Sequence, residues 1–213
     1  MNDVTARVGT HTWVQRTGGQ LSGTERRSLV GPLVSAHATN TIGRLSMLVR
    51  LNSGRRTRIS PAQLTAPRSA LTHAAEAQAR RRLSPALLNH SYRTFAFGAA
   101  LGALKKLTVD REVLFAAAML HDVGLPSPVP DVDFTLGSAR IARDVAEEVG
   151  LSSAATETLR TAITLHHSPD VTLADGPVAY LLSAGAALDV VGLRCWQLPP
   201  DLLTAVVRQH PRL

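Results

Sequence analysis

Leu114-Phe115-Ala116-Ala117-Ala118-Met119-Leu120-His121-Asp122-Val123-Gly124 is the stretch on which the reading of this chain turns. Its first seven side chains are all apolar, and a helix that is apolar on every side belongs inside a core. Gly124 suits the place where such a helix stops. His121 and Asp122 stand side by side at that end. Neutral imidazole and carboxylate both ligate divalent metal ions. Taken alone, the pair reads as an ordinary buried histidine with an acid near a helix end before it reads as a site.

Composition narrows the frame. A chain of 213 residues with 45% hydrophobic residues builds one domain of comfortable size, or a smaller domain plus an extension. Aromatic residues make up only 4%, so Ala and Leu fill the interior, which favours close-packed helices. No apolar run approaches the ~20 residues that cross a bilayer, and the N-terminus has no apolar secretory stretch. Cys195 is the single cysteine, so no intrachain disulfide forms. A cytoplasmic protein with no membrane partner is expected. The formal charge of +7 lies wholly in residues 1–60, where nine arginines face Asp3 and Glu25; the remainder is neutral. No aromatic residues are interleaved with those arginines for base stacking, so no nucleic-acid partner is expected.

Residues 1–60 read as a basic, partly ordered N-terminal extension and residues 61–213 as an all-α domain. Residues 1–24 are rich in Gly, Thr, Ser and Gln and read as loop. Thr24 offers a cap for a short helix over Glu25–Ala36, weakened by Pro32. Leu45, Met47, Val49 and Leu51 alternate with other residues before Asn52-Ser53-Gly54, which predicts a small β-hairpin or else a basic linker through Ile59. From Pro61 the text turns helical. Ala70–Arg82 is one helix, and Ser84-Pro85 opens the next. Asp110 caps the helix that ends at His121-Asp122. Pro126, Pro128 and Pro130 hold a loop open. Gly137–Val149 follows, then a helix capped by Ser152 or Ser153 that ends at Leu165-His166-His167. Pro177–Val191 contains Asp189 and stops at Gly192, and Pro199-Pro200-Asp201 begins the last helix.

Four of the eight histidines, His90, His121, His166 and His167, fall in or at the ends of these apolar helices. Asp189 is a lone acid in apolar company, and Asp122 shares its problem. An ionised carboxylate buried without a partner is costly, so each needs a counter-charge or a metal. A divalent ion supplies one shared positive centre.

The order of these residues resembles the HD-domain superfamily of metal-dependent hydrolases, and the wording is closest to its cyanamide hydratase-like branch. The resembling segments are Leu88-Asn89-His90-Ser91-Tyr92-Arg93-Thr94-Phe95, Met119–Leu125, Phe134–Ala139, Ala162–His166 and Leu188–Gly192, spread over about residues 65–195. The resemblance implies an HD-domain helical bundle with a metal site in its core. It implies that His90, His121, Asp122 and Asp189 ligate the ion, and that His166 or His167 moves protons or donates to a small-molecule substrate. Arg93, three residues after His90 on the same helix face, meets an anionic substrate group, neutralises Asp189 or ties two helices together.

Binuclear members of that superfamily place further histidines between the His-Asp pair and the final Asp. Residues 123–165 hold none, so one ion is expected. Two histidines and two carboxylates suit zinc, iron(II) or manganese. The expected reaction is hydrolysis of a phosphate ester or hydration of a nitrile-like group. The alternatives are a metal-stabilised binding or regulatory module without turnover and, behind it, a diiron oxygenase of the same fold. Phe134 is followed by Thr135 where the branch pattern has Glu, which counts against cyanamide itself as substrate. His11, His37, His73 and His210 carry no expected catalytic role, and Cys195 beside Trp196 reads as a packed small hydrophobe.

Overall fold

The computed structural model describes residues 6–212, and among these there is no β-strand. The helices are α1 His11–Thr17, α2 Gly23–Leu48, α3 Ala70–Arg82, α4 Pro85–Leu104, α5 Arg111–Leu120, α6 Phe134–Glu148, α7 Ser153–Leu165, α8 Pro177–Val191 and α9 Pro200–Gln209. Most starts have a local cause. The Asp110 carboxylate accepts from the backbone N–H groups of Glu112 and Val113, both at 3.0 Å, and so begins α5. Ser84 and Ser152 cap α4 and α7 in the same way, and Ser69 pairs with Thr72 in a reciprocal cap on α3. Gly192, at φ 71°, ends α8 in the left-handed conformation that costs glycine nothing.

Helix α5 is the axle of the bundle. Every side chain from Val113 to Leu120 is buried, as its sequence demands of a helix without a polar face. Helices α3, α4, α6, α7 and α8 surround it. Helices α4 and α8 lie against each other along their lengths, and they can approach because glycines sit at the crossing. A methyl group added at Gly98 would lie 2.7 Å from the Leu181 carbonyl oxygen, and one at Gly185 would collide with the Thr94 carbonyl. That close crossing brings His90 and Asp189 together.

The N-terminal part departs from the sequence reading. The stretch read as loop contains α1, whose Trp13 and Val14 are buried; the expectation for residues 1–5 lies outside the described residues. The short helix expected over Glu25–Ala36 is instead 26 residues long and capped by Ser22, with Glu25 closing a capping box. The β-hairpin expected from Leu45 is absent. Residues up to Leu48 are the last turns of α2, and the regular element between Leu48 and Ile59 is a 3-10 turn at Ser53–Arg56. The alternation of Leu45, Met47, Val49 and Leu51 misled because Asn40, Gly43 and Met47 share a helical face that docks on Arg194, Trp196 and Cys195. Pro32 is carried inside the helix. Arg7 pairs with Asp170 and Asp175. No described helix is long and apolar enough to cross a membrane.

Gly185→Ala tests the α4–α8 crossing. Alanine raises helix propensity by about 1 kcal/mol, but its methyl group meets backbone rather than a movable side chain. The steric effect should prevail, and urea denaturation is expected to show a net loss of about 1–3 kcal/mol.

Candidate metal centre

Three buried side chains converge where α4 crosses the end of α5. His90 Nε2 lies 3.2 Å from His121 Nε2, His121 Nε2 lies 3.3 Å from Asp122 Oδ2, and His90 Nε2 lies 3.8 Å from that same oxygen. A circle through these three atoms has a radius of about 2 Å, the length of a bond from imidazole nitrogen or carboxylate oxygen to zinc. Their mutual separations thus fit one ion held by three protein donors.

The hydrogen bonds behind the rings decide where the protons are. His121 Nδ1 is 2.8 Å from the Ala118 carbonyl, and a carbonyl only accepts, so Nδ1 carries the proton. His90 Nδ1 donates likewise to Asp189 Oδ2 at 2.7 Å. With both rings neutral, each Nε2 turns its lone pair toward the other, and the Thr94 hydroxyl lies 3.5 Å from His90 Nε2. Asp122 adds negative charge to the same point. Among the described residues no donor hydrogen-bonds to the Asp122 carboxylate. Three electron-pair donors without a proton between them repel unless a cation joins them.

Protonation follows the same logic. Burial pushes the His121 imidazole below its ordinary value, and Asp122 opposes that only in part. Burial, with His121 beside it, pushes His166 down to about 3. For Asp122, burial works to raise the carboxyl, but the polar flank of His121, His166 and His90 outweighs it and the net direction is down. The neutral-imidazole, ionised-carboxylate state is the one that binds a metal ion.

The remaining expected residues divide. His166 is 8% exposed, anchored through Nδ1 to the Ile163 carbonyl at 2.7 Å, with Nε2 3.7 Å from Asp122 Oδ1. It stands beside the donor triad. His167 is half-exposed and stacks on Phe134, with Nε2 3.7 Å from Asp133 Oδ2. Asp189 is not among the donors that lie within 4.8 Å of one another. Its carboxylate sits behind the His90 ring, where Arg93 grips both oxygens at 2.8 and 2.9 Å and Arg212 adds a contact at 2.8 Å. Burial would raise that carboxyl, but the hydrogen bonds from His90 and Arg93 bring it down to about 2. The structure therefore joins His90, His121 and Asp122, and it seats Asp189 as the acceptor that orients His90.

Arg93 is buried too, and its other nitrogen donates to the carbonyls of His210 and Pro211. Four of its five N–H donors go to Asp189 and the C-terminal segment. Thr135 is fully buried, with its N–H and hydroxyl on Asp133 at the start of α6. Residues around the donors escaped the sequence reading. Arg212 carries no motif and reaches Asp189 only through the folded tail. His37, set aside as uninvolved, lines the same pocket of about 400 Å³ as His90, Asp122, His166 and His167. A larger cavity of about 560 Å³, between the segment Ile59–Ala66 and α9, contains none of the three donors. Size does not mark the chemistry here.

Comparison with known proteins agrees with the core of this geometry. Residues 87–184 match the HD domain. That span includes His90, His121, Asp122, His166 and His167, and stops before Asp189. The chain is also similar to the bifunctional uridylyltransferase/uridylyl-removing enzyme of Ruegeria pomeroyi, with 41% identity over 64 residues. This covers 30% of the present chain and only 7% of that protein.

Two measurements check the centre. His121→Ala and Asp122→Ala should each lose bound metal, whereas Asp189→Asn should keep it with affinity weakened about 10- to 100-fold; metal analysis and competition with a chelating dye read this directly. The second concerns pH in metal-free protein. His121 and His166 stay neutral in the fold and take up protons when unfolded below about 6.5, so acid favours the unfolded chain. Stability is expected to be full above pH 6.5 and to fall as pH drops below it, by up to about 1.4 kcal/mol per pH unit for each such histidine. The lowered carboxyls, Asp122 and Asp189, add a further loss below their ordinary range near 4. His166→Gln should flatten the urea-denaturation profile between pH 6.5 and 4.5.

Proposed function

We propose that this protein is a metal-dependent hydrolase of small phosphate esters, with one divalent ion held by His90, His121 and Asp122. One observation carries the reading: two facing imidazole lone pairs and an ionised carboxylate, buried together with no donor between them. Zinc, iron(II) or manganese suits that donor set. When bound, such an ion brings a coordinated water within reach of deprotonation at neutral pH and draws charge from a phosphoryl oxygen.

The chain's own residues supply the rest. Asp189, clamped by Arg93, fixes the tautomer and direction of His90. His166 is neutral at pH 7, and with Nδ1 committed to a carbonyl it offers Nε2 as a proton acceptor beside Asp122. His167, half in solvent at the same pocket, is placed to pass protons outward. In this reading residues 61–213 are the catalytic domain, and residues 1–60 are an extension that lends one wall to its pocket.

Phosphorus chemistry is favoured over nitrile hydration on three grounds. The matched HD domain belongs to a superfamily of metal-dependent phosphohydrolases, and the Ruegeria protein is named for removing a uridylyl group. Thr135, tied up in a helix cap, offers no carboxylate of the kind the cyanamide hydratase-like pattern has.

The test is turnover of 4-nitrophenyl phosphate and bis(4-nitrophenyl) phosphate by protein loaded with zinc, manganese or iron(II), with cyanamide assayed alongside. Turnover of a phosphate ester that is lost on chelation and restored by metal is expected. His166→Gln should lower kcat about 10²- to 10⁴-fold with metal content unchanged. Undiminished turnover after complete metal removal would overturn the reading, and turnover of cyanamide alone would redirect it to nitriles.

A further inference from the structure

The pocket above the donor triad has a divided lining. His90, Asp122 and His166 form its polar floor, while Leu33 and Ala36 of α2 face Ala187 and Val190 of α8 across an aliphatic space. Arg194 lines the same pocket. Arg7, Arg80, Arg93, Arg143, Arg160 and Arg212 each pair with a carboxylate. Among the described residues no carboxylate lies within ion-pairing distance of Arg194; most other arginines are also unpaired, but Arg194 is the one that lines this pocket.

The fold nevertheless holds Arg194 in place. Its backbone is in the left-handed region at φ 63°, an uncommon conformation for a residue with a side chain. Its N–H donates at 3.2 Å to Oδ1 of Asn40, a buried residue on α2. Its guanidinium lies over the Tyr180 ring, 5.7 Å from the centroid. Stacking uses the face of the guanidinium and leaves its N–H edge free for an anion. The neighbouring residues fasten α2 to the same segment: the Trp196 ring fills the space beside Gly43, and Cys195 Sγ is 3.7 Å from Met47 Sδ. A pre-set, unpaired cation beside an aliphatic slot matches one kind of ligand, an apolar body bearing an anionic group.

Resting on the hydrolase reading above, we propose that Arg194 receives the negative charge of the substrate and that the α2–α8 walls receive its body. The substrate is a phosphate monoester of an apolar alcohol. A nucleotide fits less well: the walls are aliphatic, and Tyr180, the one Phe, Tyr or Trp ring in the lining, lies under Arg194. Helix α2 is thereby a specificity element, although it lies outside the span that matches the HD domain.

The experiment is equilibrium binding of hexylphosphonate, a phosphate-ester mimic that is not hydrolysed, to the full chain loaded with zinc, beside inorganic phosphate and adenosine 5′-monophosphate. Hexylphosphonate should bind at least about 10-fold more tightly than either. Arg194→Gln should weaken it about 10- to 100-fold, while Arg194→Lys retains most of the affinity. Leu33→Asp, at a half-exposed position that tolerates the change, should erase the preference for hexylphosphonate over inorganic phosphate. Metal content should be unchanged in all three variants. Equal affinity of Arg194→Gln and the parent, or tighter binding of adenosine 5′-monophosphate than of hexylphosphonate, would overturn the proposal. The two readings fail separately. Metal-loaded protein that turns over phosphate esters yet ignores Arg194→Gln refutes the substrate assignment alone. Arg194-dependent binding by metal-loaded protein that turns over no phosphate ester supports the pocket while the hydrolase reading falls.

Discussion

His90 Nε2 and His121 Nε2 face each other across 3.2 Å, each with its proton held on the far side of the ring. Two lone pairs at that distance beside an ionised carboxylate form an arrangement that a protein interior does not hold without compensation. Much of the surrounding structure maintains it. The Ala118 carbonyl fixes one ring, Asp189 fixes the other, and the burial of His121 and His166 keeps their imidazoles unprotonated. A cation resolves the conflict, which is why the cluster reads as a binding site and not as a packing accident.

Holding that arrangement requires rigid supports, and the bundle provides them by burying α5 from all sides. His121 and Asp122 follow directly from its last turn, so their placement is inherited from a fully packed helix. The α4–α8 crossing does the same for His90. Glycines at the contact let two backbones approach, and the short separation puts Asp189 within hydrogen-bonding reach of the His90 ring. A bulkier crossing would move the orienting acid away from the ring it orients.

Asp189 also links the site to the end of the chain. Arg93 bridges it to the carbonyls of His210 and Pro211, Arg212 returns to it, and the His210 ring stacks on Tyr92 with centroids 4.7 Å apart. At the other end, α2 fastens to Arg194 and Trp196 and walls the pocket. Segments near both termini thus meet the centre from opposite sides: one positions a donor ring, and the other shapes the space in front of it.

Much was legible from residues alone, because the relevant signals are local. Seven apolar residues in succession announced α5, Asp110, Ser84 and Ser152 marked helix starts, and His121-Asp122 between His90 and a later lone acid marked the centre. Such features depend on neighbours within a turn or two, where spacing and capping act directly. The same reasoning failed where two structures share one pattern. Alternating apolar residues from Leu45 fit a strand as well as the docking face of α2, and only Trp196, about 150 residues further on, decides between them. Asp189 was legible as an acid in need of a partner, but which partner was not. Arg93 and Arg212 claim its oxygens through contacts 96 and 23 residues apart in sequence. His37 and Arg194 showed nothing beyond an ordinary histidine and arginine until folding set them on one pocket. The sequence by itself determined the helices from Ala70 onward and which side chains could hold a metal. The tertiary structure alone decided which of them touch, because partners for buried charge are supplied by whichever distant segment packs there.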